Sequence, residues 1–136
     1  MASRMTGQDA VARRFRRMSS GVTDAVEDAL VELGGQVRDE ARLSIIEGSV
    51  SGPGHVPSAP GEPPNADTGH LDESIHVTSY VRGGTVTVEV SADAEYAADL
   101  EYGNSRIAER PFMRPATAKV RPRVPAGVRV AVRRLR

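Results

Sequence analysis

With 136 residues, three Tyr, two Phe and no Trp, the chain must fill its core from Val, Leu, Ile and Ala, which bury less area per residue than aromatic side chains. The absence of Cys excludes disulfides and thiolate metal sites, and no run of about 18 apolar residues is present to span a bilayer. A net charge of zero conceals a segregation: residues 1–18 carry five Arg against one Asp (+4), 19–48 two Arg against seven acids (−5), 49–110 three Arg against ten acids (−7), and 111–136 seven Arg and one Lys with no acid (+8). Basic ends flank an acidic middle, which gives head-to-tail neighbours complementary potentials; the plainer alternative is a solvated basic tail. The N-terminal arginines are followed by no apolar h-region, so no signal peptide is expected and the chain should be made in a cytoplasm. The length predicts one domain over residues 1–136.

In chain order, Gln8 to Met18 predicts a short basic helix with Val11, Ala12, Phe15 and Met18 at helical spacing. Ser19-Ser20-Gly21 predicts a break. Ser20 or Thr23 then caps a second helix, with Asp24, Glu27 and Asp28 in its first turns, where acids favour the helix dipole. Val22, Val26, Leu30, Leu33, Val37, Ala41 and Ile45 follow at spacings of three and four, an apolar stripe on a helix ending near Gly48. Gly34-Gly35 lies within it, at about 1 kcal/mol per Gly relative to Ala, and predicts a kink or the close approach of another backbone.

Residues 49–66 hold five Pro and three Gly, so a long irregular loop is expected, and such a loop needs a surface to lie against. Residues 75–82 and 85–91 predict a β-hairpin closed by Gly83-Gly84, which supply the positive φ angles of a type I′ turn. That turn places Arg82 opposite Thr85, Val81 opposite Val86, Ser79 opposite Val88 and Val77 opposite Val90. One face then carries Ile75, Val77, Val81, Val86, Val88 and Val90, and the other His76, Thr78, Tyr80, Thr87 and Glu89. Ala94 to Tyr102 predicts a short helix with Tyr96, Ala97, Leu100 and Tyr102 inward, ended by Gly103. Arg110 to Pro115 reads as a stiff extended approach to a last helix, interrupted near residues 121–125 by Pro122 and Pro125. Val128 to Val132 would also suit a strand, and helix is preferred. The fold class is α+β: a small antiparallel sheet packed against a long N-terminal helix and a C-terminal helix.

Asp67-Thr68-Gly69 matches the core of the aspartic-protease motif, in which two carboxylates share a proton to activate water. Such a site needs an apolar strand leading into Asp, whereas Pro63-Pro64-Asn65-Ala66 precedes it and His70 follows. The alternative is that Asp67 or Thr68 caps a helical turn from Leu71 to Ile75. His55, His70 and His76 stand at no metal-ligand spacing, and no phosphate loop or nucleophile elbow is present. No catalytic, cofactor-binding or metal residue is therefore assigned. The basic segment 111–136 could touch phosphates non-specifically, but no recognition-helix pattern or aromatic interleaving accompanies it.

Over residues 60–116 a string of landmarks emerges: Pro60-Gly-Glu-Pro63, Asp67-Thr-Gly-x-Leu71-x-x-Ser-Ile75, a Val-rich hairpin, Tyr96-Ala97, Leu100-Glu-Tyr-Gly103 and Arg110-Pro-Phe-Met-Arg-Pro-Ala116. In this order the chain resembles the small neck, or tail-completion (head–tail joining), proteins of long-tailed double-stranded-DNA phages and related gene transfer particles. It departs from them at Gly103-Asn104, where the family has Gly-Thr. The resemblance implies a non-enzymatic virion protein made in the host bacterial cytoplasm. It implies a hexameric homo-oligomeric ring in the neck, joining the head and portal complex to the tail around the DNA channel. The partners so implied are adjacent neck proteins (adaptor or head-closure, tail terminator or tail tube), with non-specific proximity to packaged DNA, no membrane and no cofactor. It further implies structural or interface roles for Asp67, Thr68, Gly69, Leu71, Tyr96, Glu101, Gly103, Arg110, Pro111, Phe112 and Pro115. Among these, Gly69 and Gly103 would serve turns, Tyr96 and Phe112 would anchor under the sheet, and the Pro-rich loop would be a contact arm.

Overall fold

The apolar stripe produces one helix rather than two. In the computed structural model, which describes residues 7–47, 52–65 and 67–135, helix α1 spans Gln8–Ile46 without a break. At 1.5 Å per residue its 39 residues extend roughly 58 Å. The break expected at Ser19-Ser20-Gly21 is absent because the hydroxyls turn back on the helix itself. Ser20 Oγ donates to the Arg17 carbonyl (3.1 Å) and Thr23 Oγ1 to the Ser19 carbonyl (3.0 Å), so neither caps a new N-terminus. One Gly costs only about 1 kcal/mol, less than nucleating a second helix. Gly48, where the helix was expected to end, lies outside the described residues, as do residues 49–51, Ala66 and Arg136.

Only the second half of α1 is covered. Leu33, Val37, Ala41 and Ile45 are buried, whereas Val11, Phe15, Met18 and Val22 on the same stripe are exposed. The cover on one side is the hairpin β1 (Ile75–Arg82) and β2 (Thr85–Ala92), paired antiparallel with Arg82 opposite Thr85 and Val77 opposite Val90. This is the register that the two-residue turn dictates, and Gly83 and Gly84 both have positive φ (58° and 77°). The valines pack against α1 at Gly34. A Cβ there would lie 2.9 Å from Val88 Cγ1 and 3.0 Å from Val77 Cγ1. Side-chain methyls, rather than another backbone, occupy the space, and the helix runs on through it. Val81, expected inward, is exposed near the hairpin tip.

Arg42 fastens the start of the sheet to α1, donating through Nε to the Asp72 carbonyl (2.9 Å) and through Nη2 to the Ile75 carbonyl (2.7 Å). The first of these belongs to the short helix α2 (His70–Glu73). The N-cap position of α2 is Gly69, with φ 79° and no side-chain cap. Asp67 and Thr68 therefore do not cap it; Thr68 Oγ1 accepts only a long 3.4 Å bond from the His70 amide.

On its other side α1 is covered by helices α4 (Met113–Val120) and α5 (Val124–Arg133), joined by a 3-10 turn at Arg121–Arg123. Pro122 and Pro125 thus produce the expected interruption, and residues 128–132 are helical. Helix α4 begins at Met113, so the extended approach is shorter than expected and Pro115 stands inside the first turn. Lys119 pairs with Glu40 (2.9 Å), Arg123 Nη1 donates to Gln36 (2.9 Å), and Gly127 faces Leu33, so the last helices run antiparallel to α1. Phe112, Ile45, Ile75 and Val120 close the core. Among the described residues no helix is long and apolar enough to cross a membrane.

The two neighbouring glycines make opposite predictions. Gly35→Ala would place a methyl near only the flexible Arg38 guanidinium (3.6 Å) and should stabilise by about 1 kcal/mol through helix propensity. Gly34→Ala gains the same propensity but drives its methyl into two stiff valines, where overpacking costs about 1–3 kcal/mol. Chemical denaturation should show Gly35→Ala above the parent and Gly34→Ala below it.

Candidate functional site

The eleven residues singled out by the resemblance fall into two groups. Glu101, Gly103, Pro111, Phe112 and Pro115 meet where α3 (Ala97–Tyr102) turns toward α4. Glu101 is the hub. Its carboxylate is buried and accepts the backbone N–H groups of Phe112 (2.8 Å), Met113 (3.0 Å) and Arg114 (2.9 Å), and also Arg114 Nε (3.0 Å). The first four N–H groups of a helix lack partners within it. Here three are taken by one carboxylate, and the fourth position is Pro115, which has no N–H. Burial alone would raise the Glu101 carboxyl, but the three backbone donors and the Arg114 side chain outweigh it and hold it below its ordinary value. Arg114 also bonds the Glu109 carboxylate (2.9 Å) and stacks over Tyr102 (5.1 Å to the ring centroid). Gly103 has φ 71°, and a Cβ there would lie 2.8 Å from the Glu109 amide nitrogen, so only Gly allows the chain to turn back under α3.

The second group, Asp67, Thr68, Gly69, Leu71, Tyr96 and Arg110, lines one cleft of about 600 Å³ between the Pro/Gly-rich loop, α2 and α3. The loop is tied down as its outer wall: Gly61 N–H donates to the Glu109 carbonyl (2.9 Å), Arg110 Nε to the Ser58 carbonyl (3.2 Å), and Asn65 Nδ2 to the Val56 carbonyl (2.8 Å). Tyr96, expected as an anchor under the sheet, is instead 42 % exposed at the cleft. It stands just before α3, where its ring meets His70 (6.0 Å between centroids) rather than the core. Tyr102, expected inward, is also exposed; Phe112 alone fills the anchor position at 1 % exposure. The Tyr96 phenol is pushed up by burial and then by the charges of Asp67 and Asp72. Ser58, Pro57 and Pro64 complete the wall, and sequence reasoning missed them individually because a loop has no periodicity to mark which side chains face inward.

Neither constellation has catalytic geometry. Asp67 is approached by residues 63–65 without strand structure, its side chain is half exposed, and it lies 4.0 Å from His55 Nδ1. His76 bonds Ser91 Oγ (3.3 Å) and Asp93 (3.3 Å) through the same Nε2, while its Nδ1 faces the Ser74 carbonyl (3.0 Å). A nucleophilic triad needs Ser and Asp on opposite ring nitrogens. Among the described residues no group of His, Asp and Glu is arranged to hold a metal ion.

Glu101→Gln should leave donors facing an amide and destabilise the chain by about 2–3 kcal/mol at pH 7. Because the folded-state carboxyl is held low, its contribution is fully present above the ordinary Glu value of about 4.3 and is lost as pH falls through the folded value. Melting of parent and variant from pH 7 down to pH 3 should show two curves converging at the acid end.

Comparison with known proteins places the chain in a family. The family described as "Bacteriophage HK97-gp10, putative tail-component" matches residues 9–103, more than half of the chain. The matched span runs from the start of α1 to Gly103 and stops short of the Arg110–Pro115 string. No curated protein and no solved structure matches the chain. The chain belongs to the HK97-gp10-like family of bacteriophage tail components, and is a structural phage protein of the virion that works among other phage structural proteins.

Proposed function

We propose that the protein is a ring-forming subunit of the phage neck, six copies of which join the head and portal complex to the tail around the DNA channel. The observation that carries this reading is the uncovered half of α1, in a member of a tail-component family. A helix half with Val11, Phe15, Met18 and Val22 in water is stable only if something covers it.

Segregated charge supports the same reading. The acidic middle and the basic ends suit heterologous contacts between successive copies, which close into a ring when the rotation between copies permits. On this account the residues around Glu101 and the cleft have structural and interface roles, and residues 1–136 act as one domain. The exposed Arg129, Arg133 and Arg134 of the final segment make no ion pair among the described residues, and so remain available to acidic faces of the adaptor, head-closure or tail-terminating rings.

Loss of the protein should leave DNA-filled heads and finished tails that fail to join, counted by negative-stain microscopy of lysates. Replacing Arg129, Arg133 and Arg134 by Ser should leave circular dichroism and melting unchanged yet lower the fraction of joined particles in a complementation assay. Normal joining without the protein would overturn the neck assignment.

A further inference from the structure

Resting on the ring reading above, we infer that the acidic-lipped cleft beneath the Pro/Gly-rich loop is the socket for the basic N-terminal arm of a second copy of this chain, with Phe15 as its anchor. The plug is visible on α1. Its apolar stripe runs unbroken from Val11 to Ile45, but the body covers it only from about Val26 onward. In the uncovered part Phe15 is 67 % exposed, and Arg13, Arg14, Arg16 and Arg17 flank it. A large apolar side chain among four arginines is an anchor surrounded by steering charge.

The cleft has the complementary features. Asp67 and Asp72 line it, and the Glu73 carboxylate stands beside Gly69 at its lip; Arg110 lines the opposite wall with its Nε held by the Ser58 carbonyl, and Arg42 reaches the Asp72 carbonyl from α1. Its walls are apolar at Pro57, Pro64, Leu71 and Leu100. Ser58 Oγ and Asp72 Oδ1 are shielded from solvent and have no hydrogen-bond partner among the described residues, and both residues belong to this cleft. A native structure rarely leaves buried acceptors empty, and guanidinium groups are donors without acceptors.

Distance decides which molecule supplies the arm. The cleft abuts the far end of α1, where Arg42 bonds the Asp72 carbonyl. Phe15 and Arg42 are 27 residues apart on one unbroken helix, roughly 40 Å. A chain cannot insert its own arm into its own cleft. Plug and socket at opposite ends of one subunit make a heterologous, head-to-tail contact, the kind that closes into rings.

The test is a charge swap in the full-length chain, read by sedimentation velocity at low and high salt. One variant carries Arg13→Glu, Arg14→Glu, Arg16→Glu and Arg17→Glu; the other carries Asp67→Lys and Glu73→Lys. The parent chain should self-associate, more weakly in high salt. Each variant alone should lose association by roughly a hundredfold, since its arm and cleft now repel. An equimolar mixture should regain it, because each arm again meets an opposite cleft, and that recovery also shows both variants to be folded. Phe15→Ala should weaken association at every salt concentration. If the parent forms rings and both variants form them equally well alone, the arm–cleft contact is wrong while the ring stands. If the mixture fails to recover while circular dichroism shows both variants folded, the contact is likewise wrong. If the parent remains monomeric at every concentration, the ring reading falls with it.

Discussion

A two-stranded sheet has no independent stability in water, so the hairpin persists because Val77, Val88 and Val90 close on α1 at Gly34 and Arg42 grips the backbone where the sheet begins. The C-terminal helices depend on the same surface, through Gly127 against Leu33 and Val120 in the shared core. The hairpin, α2 and the C-terminal helices are therefore all mounted on α1. The covered segment is short of aromatics, and Phe112 is the one large ring in the core, so close approach at small residues replaces bulk as the source of tight packing.

Glu101 is the second constraint, and it acts across elements. By gathering the amide groups at the start of α4 it fixes that helix relative to α3, and through Glu109 and Arg110 the same junction holds the Pro/Gly-rich loop. The cleft is thus tied to the Glu101 junction, although half of its wall is loop. A loop of this composition carries large conformational entropy; hydrogen bonds to the 104–110 segment and within the loop itself define its course. The Glu101 cap therefore shapes both the packing of the body and the wall of the cleft.

Much of this was legible in the sequence where a local rule had no competitor. Gly83-Gly84 between alternating valines left a single register, and that register is found. The stripe from Val22 to Ile45 and the proline interruption after α4 were readable for the same reason. The sequence signal for a break at Ser19-Gly21 misleads because cap residues are ambiguous when they can bond to their own helix. Helical spacing puts Tyr96 inward, but it precedes the helix to which that spacing applies. The cap by Glu101 could not be read at all, since its acceptors' partners are backbone amides 11 to 13 positions away, which carry no residue-type signal. The buried acceptors of the cleft were hidden likewise, because burial in a loop is a tertiary property.

A body mounted on half of a long helix leaves the other half exposed, and on the proposed reading a neighbouring phage structural protein covers it. Image averaging of the neck in intact particles tests this account most directly. It predicts a closed ring of copies centred on the tail axis, with the first half of each α1 lying across the next copy. A subunit found off the axis, or in copies that do not close, would contradict it.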